Sequence, residues 1–264
     1  MKRFVIGDIH GNYKALIQCL ERSGFDYEKD TLIQLGDVVD GHSQSFEVVE
    51  ELLKIKNLIS IKGNHDDWFN QWIQTGVNPS GWTQGQKATG LSYLDHSRPG
   101  CPWISANKEL PGFTETILVT DIPYTHKEFF KNQLPYYRDE ENNLFIHGGF
   151  NRHFYLIEQL EYTFWWDRDL WYAALSFGGT MEQHPSDSSV RPKFKMIENF
   201  KEVFIGHTTT ECWKKTTPMH AANIWNLDTG AGMYGKLSIM NVETKEYFQS
   251  DTGRELYPEY IGRS

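Results

Sequence analysis

Five short polar clusters punctuate the chain, each closing an apolar run: Gly7-Asp8-Ile9-His10-Gly11, Gly36-Asp37-Val38-Val39-Asp40, Gly63-Asn64-His65-Asp66, His147-Gly148-Gly149 and Gly206-His207-Thr208. Their side chains are of the kinds that bind divalent ions and move protons. Three carboxylates, one amide and four imidazoles on glycine-flanked turns suffice to hold two cations a few ångströms apart. They also leave one histidine over for proton transfer, and together this is the equipment of phosphoester hydrolysis. Taken singly, Asp-Gly, Gly-Asn and His-Gly pairs are ordinary turn formers. Their recurrence in step with strand-like runs is what points to a site.

Spacing divides the labour. Asp8 and His10 are two apart, so at an extended strand end they share a face and can chelate one ion. Hard oxygen with borderline nitrogen suits manganese, iron or zinc better than calcium. Asp37 is expected to bridge two divalent ions, its charge offsetting their repulsion. Asn64, His147 and His207 then complete the second ion, and neutral Asn64, also placed to meet substrate, preserves the Lewis acidity a further carboxylate would dampen. His65, next to Asn64, must point elsewhere, over the substrate, where Asp40 can orient it and keep it protonated to serve the leaving oxygen. The nucleophile would be a hydroxide shared by both metals. His42, His96, His126, His153, His184 and His220 lack this context and read as surface or packing residues.

The elements that must position these residues begin as β-α-β-α-β: a strand at 3–6, a helix at 12–22, a strand at 31–35, a helix at 45–54 and a strand at 58–61. Such alternation implies an α/β fold with parallel strands and ligands beyond their carboxyl ends. Residues 76–141 break the pattern with six prolines and many aromatics, including Trp82, Tyr93, Trp103, Tyr136 and Tyr137. They read as an insertion with a short helix at 126–134, and serve either as a lid over the site or as a small core of their own. Strands resume at 144–146 and 202–205, separated by a mostly helical 157–175 and a polar, turn-like 184–191. Strands at 223–227, 235–241 and 245–249 follow, the last two a hairpin. The expected organisation is one domain over 1–250 and a polar tail, 251–264, that frays.

Length and composition bound the function. The 264 residues can bury a sizeable core, and the formal net charge of −9 argues against a nucleic-acid backbone as partner. A phosphorylated peptide or small phosphate ester remains compatible, because bound cations supply local positive charge. Cys19, Cys101 and Cys212 lack disulfide-framework or zinc-finger spacing, and the apolar run after Met1-Lys2-Arg3 is too short for a secretory leader or a membrane span. A cytoplasmic protein is expected.

The series Gly-Asp-x-His-Gly, Gly-Asp-x-x-Asp, Gly-Asn-His-Asp, His-Gly-Gly and Gly-His-Thr resembles the calcineurin-like metallophosphoesterase superfamily. Within it the chain looks like the bacterial and phage branch of PPP-type serine/threonine phosphatases, which also holds diadenosine tetraphosphate hydrolases. Asn226-Leu227-Asp228-Thr229-Gly230-Ala231 extends the likeness towards the C-terminal strands. The resemblance implies a central two-sheet β-sandwich flanked by helices and the same six ligands and proton-donating pair. It also implies a preference for manganese and hydrolysis of phosphomonoesters, or alternatively of dinucleoside polyphosphates. The family's second motif usually continues Asp-Arg-Gly, whereas Asp40 is followed by Gly41-His42. Arginine's planar fork grips phosphate as glycine and neutral imidazole do not. Arg168, in Trp165-Trp166-Asp167-Arg168-Asp169, resembles a second phosphate-contacting arginine of that branch and is the main candidate for the clamp, with His42 and Lys87 behind it. A protein that kept its metal site only to bind or scaffold is the non-enzymatic alternative, and the His65–Asp40 pair speaks against it.

Overall fold

The computed structural model describes residues 1–101, 117–182, 197 and 199–259, the side chains of 178–182 excepted. Pro102, Trp103 and Pro111 of the expected insertion, and the turn-like 184–191, lie outside the described residues. In chain order the elements are β1 (Arg3–Ile6), α1 (Tyr13–Ser23), β2 (Thr31–Gln34), α2 (Ser45–Leu52), β3 (Asn57–Ser60), α3 (Asn64–Thr75), α4 (Gln86–Ser97) and α5 (Tyr124–Lys131). The remainder is β4 (Tyr137–Arg138), β5 (Leu144–Phe145), α6 (Tyr162–Trp166), α7 (Asp169–Glu182), β6 (Val203–Ile205), β7 (Met219–Ala221), β8 (Ile224–Asn226), β9 (Ser238–Asn241), β10 (Tyr247–Gln249) and α8 (Gly253–Leu256).

These strands form two five-stranded mixed sheets, ordered β10-β9-β1-β2-β3 and β4-β5-β6-β8-β7. β1, β2 and β3 run parallel, as do β5, β6 and β8, while β9, β10, β4 and β7 add antiparallel. The period of two along a strand sorts their side chains into layers. Val5 and Ile33 of the first sheet and Phe145 and Phe204 of the second face each other in a shared core with Leu227 and Met240. Their neighbours Phe4, Ile6 and Leu32 point outward into a second cluster with residues of α1 to α5. Val203 and Ile205 point the other way, to Trp165 and Trp171 of α6 and α7. The α/β sandwich between helical layers is therefore the arrangement that the resemblance implies. Phe145 and Phe204 stack across β5 and β6 with centroids 4.8 Å apart and planes 9° apart, both fully buried. Phe204→Ala should cost about 3–5 kcal/mol in urea denaturation, because the rigid sheets cannot close the void.

Three expectations need correction. Trp82 and Tyr93 build no separate core; both are fully buried in the same cluster as Phe4 and Leu16, and residues 86–97 of the insertion are the helix α4 packed on α2. The short helix of that region is α5, which begins two residues earlier than 126 and stops at Lys131, before Asn132. The tail does not fray at Asp251. Thr252 caps α8, and the Tyr257 hydroxyl donates to Gln44 Oε1 at 2.6 Å and accepts from the Lys14 backbone N–H at 3.1 Å. No described helix is long and apolar enough to cross a membrane.

Candidate metal centre

All five clusters meet at the carboxyl ends of parallel strands, β1, β2 and β3 from one sheet and β5 and β6 from the other. Tight crossing of the loops forces unusual backbone. His10, Asp37, Asp40 and His207 have φ of 52°, 56°, 76° and 66°, in the left-handed region that costs a non-glycine residue about 1–3 kcal/mol. Interloop hydrogen bonds hold them there: the backbone N–H groups of Ile9 and His10 donate to Asp37 O at 3.0 and 2.9 Å, and that of Gly11 to Val38 O at 2.8 Å.

Asp37 is the hub. Its Oδ2 lies 3.5 Å from His10 Nε2, 3.5 Å from His147 Nε2 and 4.0 Å from His65 Nε2, and its Oδ1 accepts from the His65 backbone N–H at 3.0 Å. Ligand atoms of Asp8, His10 and Asp37 all lie within 4.8 Å of one another, and so do those of Asp37, His147 and His207. Two cation-sized groupings thus share one carboxylate. Asn64 Oδ1 stands 3.2 Å from His147 Nε2, beside the second grouping.

Backbone carbonyls select which imidazole nitrogen faces inward. His147 Nδ1 donates to Leu35 O at 2.8 Å and His10 Nδ1 to Val39 O at 3.1 Å, so Nε2 of each carries the lone pair available to a cation when the ring is neutral. His207 Nε2 is buried and forms no hydrogen bond among the described residues. An orphaned imidazole nitrogen beside clustered carboxylates fits a divalent ion.

The electrostatics of the protein alone agree. Burial, with the nearby charges of Asp228 and Asp37, pushes the Asp8 carboxyl well above the usual carboxylate range. Burial would also raise Asp37, but the His147, His65 and His10 imidazoles outweigh it and hold Asp37 well below that range. Burial depresses His147, yet Asp37 and Asp8 prevail and lift it to about 9. His207 falls, through burial and the charges of His147 and Arg168. Buried carboxylates and imidazoles gathered this closely are groups whose charge a bound cation can balance.

His65 Nδ1 meets Asp40 Oδ2 directly, leaving Nε2 towards Asp37. Arg168 reaches the same region from the start of α7: its Nη1 donates to His207 O at 2.9 Å and to Thr208 Oγ1 at 2.8 Å, rather than pairing with Asp167 or Asp169. The structure rejects His42 as a stand-in for the missing arginine. Its ring is fully buried, packs on Tyr257 at 4.7 Å with the planes tilted by 34°, and donates through Nε2 to Ala231 O at 2.9 Å. Lys87 is exposed on the first turn of α4. Gly41 itself has φ 117°, where a Cβ would stand 2.9 Å from His10 O, so an arginine here would strain the turn and displace its neighbours.

Two acids of the centre carry no role in the sequence reading. Asp66 Oδ1 accepts from Val38 N–H at 2.8 Å, and its Oδ2 accepts from Gln133 Nε2 at 2.8 Å, tying the loop after β2 to α3. Burial and the charge of Asp37 raise its carboxyl to about 6. Asp228 is buried beside Asp8. Each belongs to a quoted motif, the only signal that could have flagged it.

Known proteins share parts of this pattern. The chain is 42% identical over 67 residues to the symmetrical bis(5'-nucleosyl)-tetraphosphatase of Buchnera aphidicola, 25% of this chain and 24% of that protein. It is 37% identical over 73 residues to serine/threonine-protein phosphatase 2 of Escherichia coli K12, 28% and 33% of the two chains. The alignments therefore span a third or less of these curated relatives. Among solved structures, a putative diadenosine tetraphosphatase superposes with a TM-score of 0.60 at 16% identity, over 96% of this chain and 93% of that one. A metallophosphoesterase from Sphaerobacter thermophilus does so with a TM-score of 0.53 at 17% identity, over 98% and 94%. Both share the fold. The family model for calcineurin-like phosphoesterases matches residues 1–210, which takes in every one of the clusters around Asp37, and the chain belongs to that family.

Proposed function

We propose that this protein is a binuclear metal-dependent phosphoester hydrolase, a phosphomonoesterase of the serine/threonine protein phosphatase type, acting in the cytoplasm as one domain over 1–250 to which α8 and Tyr257 also belong. The observation that carries the reading is the pair of ligand groupings sharing Asp37, with the His65–Asp40 pair alongside. Asp8, His10 and Asp37 would hold one ion, and Asp37, Asn64, His147 and His207 the other, manganese first and iron or zinc as alternatives. Divalent ions bound there would supply Lewis acidity to phosphate oxygens and to water near neutral pH. Asp37, Asp8 and the three ligand imidazoles are the buried groups that would hold them. Arg168, anchored through Nη1, offers its remaining N–H groups to a phosphate oxygen. His65 delivers a proton from Nε2 to the leaving oxygen as the ester P–O bond breaks, and Asp40 stabilises the imidazolium through Nδ1.

A second reading, hydrolysis of dinucleoside polyphosphates, draws support from aromatic surface at the rim. Trp68 lies 5.1 Å from the His65 ring and 5.0 Å from Trp166, and Trp166 lies 5.9 Å from the His207 ring, faces on which a base can stack. The names of the Buchnera relative and of the first structural neighbour lean the same way. Manganese-dependent hydrolysis of phosphoserine peptides and of diadenosine tetraphosphate, compared by kcat/KM, separates the two. A preference above about tenfold for the dinucleotide would replace the phosphatase assignment. No chelator-sensitive turnover of either ester, or of aryl phosphates, would leave a binding protein.

Metal uptake should depend on pH. His147 ligates only when neutral, and in the metal-free protein it holds its proton up to about 9. Manganese affinity measured calorimetrically should therefore rise at least tenfold per pH unit from pH 6.5 towards 9, with protons released on binding. An affinity flat across that range would remove His147 from the ligand set.

A further inference from the structure

The carboxylate of Asp40 is gripped by one segment of the insertion, residues 81–89. Trp82 Nε1 donates to Asp40 Oδ2 at 2.9 Å, the same oxygen that meets His65 Nδ1. The Asp40 backbone N–H donates to Thr89 Oγ1 at 3.0 Å, across 49 residues of sequence. Between these contacts Gly85, at φ 72°, lies so close that a Cβ would fall 1.1 Å from Asp40 Oδ1. Asp40 is itself in the left-handed region and fully buried, a geometry that persists only when its surroundings impose it.

The grip is more than the burial of an aromatic. Trp82 is fully buried against Phe69, edge to face at 6.0 Å. Other core tryptophans of this fold tolerate an indole N–H without an acceptor: those of Trp165 and Trp171 are buried with none among the described residues. Packing therefore does not require Trp82 to find Asp40. What the bond does is fix rotation of the carboxylate about Cβ–Cγ. One lone pair of Oδ2 is occupied by the indole, and the same oxygen is directed at the imidazole. Thr89 fixes the backbone from which that carboxylate projects.

We propose that Trp82 and Thr89 are positioning residues that set Asp40, and through it His65, for proton donation to the leaving group. The proposal rests on the proton-donor role given to His65 above. On this view the segment contributes to the centre by locking one of its acids.

A series of aryl phosphates from 2,4-dinitrophenyl, which leaves without help, to phenyl, which needs a proton, reads the effect. Trp82→Phe and Thr89→Val in the manganese-loaded enzyme should each lower kcat on phenyl phosphate about tenfold and on the dinitrophenyl ester less than about twofold. In a His65→Asn background neither should cost anything further, since residues acting through one group are not additive. Equal losses on both esters, or losses that add to that of His65→Asn, would make the segment mere packing and overturn the proposal. If Trp82→Phe fails to fold or to bind manganese, Thr89→Val decides alone by the same pattern. A His65→Asn enzyme indistinguishable from wild type on phenyl phosphate would overturn the proton-donor reading and this proposal with it. A defective His65→Asn beside uniform losses in the other two would overturn this proposal only.

Discussion

His65→Asn is expected to lower kcat on phenyl phosphate by roughly 10²–10⁴-fold while leaving metal content and KM near their wild-type values. The imidazole has one nitrogen committed to Asp40 and the other turned into the centre, 4.0 Å from Asp37 Oδ2. It sits on the first turn of α3, where its backbone N–H is already held by Asp37 Oδ1, so the side chain can change while the backbone stays. Asparagine keeps polarity and approximate volume but has no proton to give near neutral pH. The deficit should shrink as the leaving phenol becomes more acidic and nearly vanish for the 2,4-dinitrophenyl ester, whose oxygen departs as the anion. Stopped assays across the ester series, with metal measured by plasma emission, test this. A uniform loss that tracks missing manganese would instead make His65 a ligand or a structural support.

What the sequence made legible, and what it did not, divides along physical lines. The first three strands and two helices were readable because short apolar runs ended at Gly7, Gly36 and Gly63 and because Ala15, Leu16, Cys19 and Leu20 bury one face of α1. α3 was missed. Its first turn is Asn64-His65-Asp66-Asp67, polar residues buried against the site instead of apolar ones buried in the core, so periodicity begins only at Phe69. α4 was missed because Ala88, Thr89, Gly90 and Ser92 pack by being small. β4 has two residues and β7 three, too few for alternation to register.

The ligand candidates were legible because each falls just past a strand beside a glycine, a purely local signal. Asp66, Trp82 and Thr89 were not, because their partners lie 28, 42 and 49 residues away. The place of Gly41 was visible only as a departure from a family pattern. Its φ of 117° gives the reason: the turn has been closed in a conformation that only glycine adopts readily.

Asp37→Asn should have the largest consequence of any single change. The substitution keeps shape and removes the charge about which His10, His147 and His65 are gathered. Because Asp37 belongs to both ligand groupings, bound manganese should fall from about two equivalents to less than one. The kcat should fall roughly 10³-fold or more, the equivalent of several kcal/mol of lost charge stabilisation. The metal-free protein adds an independent readout. Asp37 is held ionised well below its usual range, so it stabilises the fold above that range, and the His147 imidazolium, raised to about 9, contributes below it. Near pH 6.5 the variant leaves the buried His147 cation without its partner and should lose about 3–5 kcal/mol. As pH rises through about 9, wild-type His147 gives up its proton, the charge pair disappears and the gap between the two proteins should narrow. Urea denaturation in chelator at pH 6.5 and 9.5 measures both limbs. An equal gap at the two pH values would mean that Asp37 and His147 are not coupled as charges, and a full complement of manganese in the variant would remove Asp37 from the centre of the site.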